Sequence, residues 1–355
     1  MNVRDLFVEA WRNLYTGTAR ATLFALAFAA VVGSLVVADT RTVVGLHREA
    51  SEFTSSGASV RVLTTDGNVD GRACEALSEV SGVAAAGALR EDGHLVLSAM
   101  PGNPIPSYAA SPGLSGVLGL HAEPAAGMWL SDHTAELLGV GPGQEMDTDV
   151  GPMTVAGVFP YPEDGRDSRL RHAVVIPESV TSDYDQCWAD TRPPTDTIDD
   201  LVMWALRSGT DPSSSVTISQ LNTTLGSEFD GDTAFTERAT RLAAPTAAVA
   251  GAVLGFAAIR LRRLEWAGAL HVGVSRRALL GTVALETAVW APAGMILALC
   301  ALVVAAHVGN PANAWDTVTV TVPGVVAAAL TTQIGALTAA SLVRESHLFR
   351  YFKDR

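Results

Sequence analysis

Lysine is almost missing from this chain. Among 355 residues there is one, Lys353, and every other basic residue is an arginine. A phosphate-binding loop needs a lysine straight after its glycine-rich turn to reach the nucleotide phosphates, so this chain holds no nucleotide in that way. Cysteine is sparse as well, with three residues and no Cys-x-x-Cys pair, and no His-Glu-x-x-His, EF-hand loop or Gly-x-Ser-x-Gly elbow occurs. His94, His121, His133 and His172 lack metal spacing, and Asp230, Asp232 and Glu237 are too loosely placed for a calcium loop. No metal, cofactor or enzyme active site is expected in this chain. Charge is also scarce, at 17% of residues, while 48% are hydrophobic, and the mean hydropathy is positive. Such a chain is too apolar for an ordinary soluble protein and too polar for a compact bundle of spans.

What is present explains the mixture. Four runs, 21–38, 242–259, 278–306 and 323–343, have the length a helix needs to cross about 30 Å of hydrocarbon. The expected fold is membrane α-helical, with four transmembrane helices, plus an α+β extracytoplasmic domain over 39–241 that could form two lobes. Basic residues set the orientation: Arg4, Arg12 and Arg20 precede the first run, five arginines fall in 260–277, and Arg344, Arg350, Lys353 and Arg355 follow the last. The positive-inside rule therefore puts both termini and the 260–277 loop in the cytoplasm, in a multi-pass protein of the plasma membrane. Of 37 acidic residues most lie in the outer segment, which suits either attraction of cationic peptides or simple solvation.

In chain order, residues 2–17 carry Leu6, Phe7, Ala10, Trp11, Leu14 and Tyr15 at helical spacing, as in an amphipathic helix at the inner interface. The first run has a long polar lead, which favours a retained anchor over a cleaved signal peptide. Within the outer domain, 71–80 reads as a helix, 82–89 and 94–97 as strands, 127–143 as a strand, a short helix capped by Ser131 or Asp132 and a glycine turn, and 153–159 and 172–177 as strands. Residues 202–206 look like a strand, 215–225 like a strand running into a helix, and 191–200 and 209–215 like loops. Cys74 and Cys187 could form a disulfide or remain two buried thiols. Cys300 is a small packing residue within the third run. Gly251 and Gly255 form a Gly-x-x-x-Gly helix-packing face. Glu286, a carboxylate inside a span, is either a functional ionisable site or the partner of Thr331 or Thr332 in an interhelical hydrogen bond. The tail 348–353 reads as an interfacial anchor, and the 307–322 connection as a short outer loop.

The order of these parts, one span, a large outer α+β domain, then three spans with a basic loop between the second and third, is similar to the MacB/FtsX-type permeases of ABC transporters. The run Ala10, Trp11, Arg12, Asn13, Leu14, then Arg20, Ala21, Thr22, Leu23, looks like that family's approach to its first span. Glu265, Gly273, Ser275 and Arg276 fall where the family has the same residue types in its cytoplasmic loop, whereas Trp266 and Leu270 replace its usual isoleucine and basic residue. The resemblance implies a permease subunit that works with a cytoplasmic ABC ATPase dimer and a second permease, identical or related. ATP and Mg would be bound by the partner ATPase, and no nucleic acid is involved. Its hydrolysis would be converted into movement of the outer domain (mechanotransmission), for export or extraction of a peptide, antibiotic or lipid-linked molecule; the alternative is activation of an extracytoplasmic cell-wall hydrolase or relay of a signal. In the loop, Arg262, Arg263 and Glu265 are expected as polar contacts to the ATPase, Trp266 and Leu270 as its apolar contact, and Gly273 as the turn. Plain anchoring beside phospholipid headgroups is the competing reading of the arginines.

Overall fold

Four helices in the computed structural model are long and apolar enough to cross a membrane. The structure describes residues 3–120, 127–181, 183–192, 198–209 and 215–348. His121 and most of the 348–353 tail lie outside them. The chain divides into two units: a helical unit, Met1–Glu49 with Gly231–Arg355, and a sheet unit, Ala50–Asp230.

The N-terminal helix α1 (Val3–Tyr15) leaves Phe7, Trp11 and Tyr15 exposed and buries Ala10 and Asn13, the division expected of a helix whose aromatics sit at headgroup depth. Next comes α2 (Ala21–Ser55). The helix continues well beyond the expected span 21–38. Asp39, Thr40 and Arg41 are polar but not helix-breaking, and the helix stops only before Gly57, which has φ +78°.

The sheet unit follows with β1 (Val60–Val69), α3 (Gly71–Ala76), β2 (Val83–Leu95), β3 (Ile105–Ala110) and α4 (Leu114–Val117). Then come β4 (Met128–Ser131), α5 (Asp132–Leu138), β5 (Glu145–Thr148), β6 (Gly151–Phe159), β7 (Val174–Pro177), β8 (Tyr184–Thr191), α6 (Ile198–Val202) and β9 (Thr217–Gln220). Among the described residues nine strands form one mixed sheet in the order β5-β6-β4-β7-β3-β2-β8-β1-β9. The β3–β7 and β4–β6 pairs are parallel and the others antiparallel. Asp70 caps α3, and Ser131 caps α5, whose end is closed by Gly139 in the left-handed region. Cys74 and Cys187, both fully buried, are joined in a disulfide that ties α3 to β8.

Two local readings are corrected here. Residues 202–206 are not a strand: α6 leads into a 3-10 turn over Met203–Ala205. Val202 and Ala205 are buried while Trp204 is exposed, a three-residue spacing that suits a helical turn. After β9 no helix follows directly. Asn222 instead donates to the carbonyls of Ser56 and Asp164 and accepts from the Thr224 amide, holding a turn that competes with helix formation.

The helical unit resumes with α7 (Gly231–Thr236), α8 (Ala243–Arg260), α9 (Arg263–His271), α10 (Arg276–His307) and α11 (Ala314–Ser341). α11 starts earlier than the expected 323 because Asn313 caps it and its polar first turns remain helical, leaving Pro323 inside the helix. The expected outer loop shortens accordingly. Backbones of α8 and α11 touch: a Cβ on Gly251 would lie 2.2 Å from the Ala328 carbonyl oxygen, and one on Gly255 2.0 Å from that of Thr332. Only glycine permits this approach. Large apolar side chains such as Leu26, Val249, Leu330 and Ile334 face outward instead, as they do where the surroundings are hydrocarbon.

Candidate functional site

The segment after α8 does not run as an open loop. Arg262 closes one turn, α9 follows, and Gly273, with φ +95°, reverses the chain before Ser275 caps α10 by accepting from the Ala278 amide. A φ in that range is comfortable only for glycine, so the turn role expected of Gly273 has a backbone reason. α9 packs through Trp266 and Ala267 on Leu279 and Val283 of α10 and on Ala336 and Ala339 of α11, with Leu264 and Leu270 at the margin.

The centre of the arrangement is a buried ion pair. Arg262 Nη1 donates to Glu286 Oε2 at 2.5 Å, and the side chains are only 6% and 3% exposed. The second oxygen of Glu286 accepts from Asn13 Nδ2 of α1 at 2.7 Å. Arg262 also reaches Glu265 through Nε at 2.9 Å and Nη2 at 2.8 Å, and its guanidinium lies 4.6 Å from the centroid of the Trp266 ring. Burial alone would lower the arginine's pKa, but hydrogen bonds and charge from Glu265 and Glu286 outweigh it and push it up. A single constellation therefore joins α1, the 260–277 segment and α10. Such a network holds its elements in register, because removing one member leaves a buried charge without a partner.

This geometry corrects three expectations. Glu286 does not bond Thr331 or Thr332, whose hydroxyls donate to backbone carbonyls of Ala248 and Ala328; an arginine outcompetes a hydroxyl for a buried carboxylate. Arg262 and Trp266 are buried, so they hold α9 in place and do not form its outer face. Glu265 divides the two roles, bonded to Arg262 yet about half exposed. Leu261, Val272, Ser275, Arg276 and Arg277 are exposed, and Arg263 and Leu270 are half-buried. His271 pairs with Glu345 beyond α11 at 2.9 Å.

Asn13 is the member that sequence reasoning missed. It stands in the 10–14 motif with no partner assigned from the sequence, although an intramembrane carboxylate demands a cation and further donors. A second buried pair, Asp39 of α2 with Arg238 at 2.9 Å, was missed too, and Arg238 lies over Phe235. Among the described residues no group of three or more His, Cys, Asp or Glu is placed to hold a metal ion.

No protein-family model matches the chain. No curated protein sequence matches it either. Among the solved structures that resemble part of it are the periplasmic region of MacB from Actinobacillus actinomycetemcomitans, at 13% identity over 49% of this chain and 94% of that one, TM-score 0.34, and a domain of a protein described as a permease from Porphyromonas gingivalis, at 15% identity over 47% and 92%, TM-score 0.34. Likeness at that level carries no argument about activity.

Proposed function

We propose that this chain is the membrane-spanning permease subunit of an ABC-type assembly, in which a separate cytoplasmic ATPase dimer pushes on the 260–277 segment. The observation that supports this is the Arg262–Glu286–Asn13 constellation. It makes α9 a rigid extension of two spans and α1, so force on its exposed surface passes to the helices without being lost in a loose loop. On this reading Leu261, Val272, Glu265 and Arg276 meet the ATPase, Arg263 contributes from the margin, and Arg262 and Trp266 transmit. Leu270 and Ser275 fix the helix ends around the Gly273 turn. Nucleotide and Mg belong to the partner, the spans α2 and α8 carry the displacement toward residues 50–230 on the outer side, and the cargo is a peptide, antibiotic or lipid-linked molecule already outside the bilayer. The resemblance seen in the 10–23 and 265–276 motifs supports the same reading, with a second permease copy or relative completing the assembly.

The test is Leu261→Glu with Val272→Glu in the full chain. Both side chains are exposed, so insertion and folding should persist while co-purification of a nucleotide-hydrolysing partner is lost. Undiminished co-purification would remove the loop from the interface.

A further inference from the structure

Beside the constellation, and wholly within the helical unit, lies a cleft of about 750 Å³. One wall is the turn after α1, with Thr16, Gly17, Thr18 and Arg20; the other is the end of α8 and the start of α9, with Arg260, Leu261, Arg263 and the edge of Glu265. Arg20 and Arg260 form no ion pair among the described residues, while Glu265 is already engaged by Arg262. Arg20 and Arg260 therefore bring guanidinium charge to the cleft in excess of its carboxylate.

Its most unusual feature is the backbone of Arg20. With φ +49°, it is the one non-glycine residue with positive φ among those described. A left-handed arginine is a strained conformation, which glycine would adopt freely. Here that conformation is held by the amide of Arg20 donating to the Gly17 carbonyl at 3.0 Å and by the Ala19 amide and Thr18 hydroxyl donating to the Asn13 carbonyl. The turn is thus anchored to Asn13, the residue that also bonds Glu286. Strain tolerated in order to keep an arginine at one point of a cleft points to something that the arginine binds.

The surroundings say what. Arg20 immediately precedes α2 and Arg260 ends α8, so the cleft opens at the level where two apolar spans meet water. Leu261 lines it while 64% exposed, and Leu23, one turn along α2 from Arg20, is 56% exposed. Guanidiniums beside outward-facing leucines at the end of a hydrocarbon-spanning helix match a molecule with a phosphate at one end and acyl chains at the other. A soluble phosphate would need the basic groups but not the leucines.

We infer that the cleft between residues 16–20 and 260–265 binds the phosphate of an anionic phospholipid headgroup, with Arg20 and Arg260 as its principal partners. Bound there, the lipid bridges α2 to the start of α9. The inference stands apart from the ATPase reading, because it requires only that α2 and α8 cross a bilayer.

The test titrates the full chain in a neutral maltoside detergent with phosphatidylglycerol, phosphatidylcholine and inorganic phosphate, read by native mass spectrometry. Phosphatidylglycerol should give a discrete adduct at least about 10-fold tighter than phosphatidylcholine. Arg20→Gly, which relieves the backbone strain and so keeps the fold, should weaken it, and Arg20→Gly with Arg260→Gln should weaken it by on the order of 10- to 100-fold. Arg277→Gln with Arg344→Gln removes equal charge outside the cleft and should change it less than about threefold. Equal affinity for the two lipids, or equal loss in both double variants, would overturn the site. Displacement of the lipid by inorganic phosphate at matching concentration would overturn the lipid assignment in favour of a soluble phosphate. Absence of any adduct would leave these arginines to the carboxylates of a protein partner.

Discussion

Breaking the buried pair from its two ends should cost different amounts. Glu286→Gln leaves Arg262 with two hydrogen bonds to Glu265 and its place over Trp266, so the loss is one charge-assisted bond, about 1.5–3 kcal/mol. Arg262→Met leaves the Glu286 carboxylate buried with Asn13 as its remaining partner, a cost of about 3–5 kcal/mol for an uncompensated buried charge. The double variant removes both charges, so it should be no less stable than Arg262→Met alone, a coupling of roughly 2 kcal/mol or more between the sites. Unfolding of the purified chain by sodium dodecyl sulfate titration in mixed micelles, followed by circular dichroism at 222 nm, measures all four corners of the cycle. Additivity within about 0.5 kcal/mol, or a costlier Glu286→Gln, would refute the reasoning.

Further outcomes are open to measurement. Gly255→Ala, whose Cβ would meet the Thr332 carbonyl oxygen at 2.0 Å, should destabilise the helical unit by about 1–3 kcal/mol, whereas Gly268→Ala, with nothing within 4 Å, should be neutral in the same titration. Opening the Cys74–Cys187 link, which closes a separation of 113 residues, should cost the sheet unit about 2–5 kcal/mol, read as a fall in thermal midpoint of Cys74→Ser with Cys187→Ser. Acid should weaken the sheet unit. For Asp167, hydrogen bonds from Arg169 hold the carboxyl below its usual range, and for Asp164 burial acts upward but is outweighed by Arg166. Groups with depressed pKa stabilise above the unfolded value near 4 and lose that contribution as pH falls through the folded value. Asp164→Asn should therefore flatten the fall in thermal midpoint below about pH 4, and an unchanged slope would contradict the assignment.

Much of this fold was legible because hydropathy acts over long stretches. The four apolar runs largely coincide with helices long enough to span a membrane, and the cap expected at Ser131 or Asp132 is Ser131. Helix ends were read less well. A hydropathy run stops at the first polar residue, while a helix stops where a residue breaks it, hence the extension of α2 to Ser55 and of α11 back to Ala314. The site was half visible. Its residue types stood out in the sequence, but burial sorts Arg262 and Trp266 from Leu261 and Val272, and burial depends on packing between elements far apart in the chain. The partnership of Asn13 with Glu286 spans 273 positions, and no local pattern encodes it.

The central claim is that an ATPase presses on the exposed rim of α9. Val272, 81% exposed, can be replaced by the photo-crosslinking residue p-benzoylphenylalanine in the full chain in its native membrane. Illumination should join it to a nucleotide-hydrolysing protein, with a yield that changes between nucleotide-free and ATP-bound states. Crosslinks only to lipid, or only to a protein on the outer face, would contradict the account.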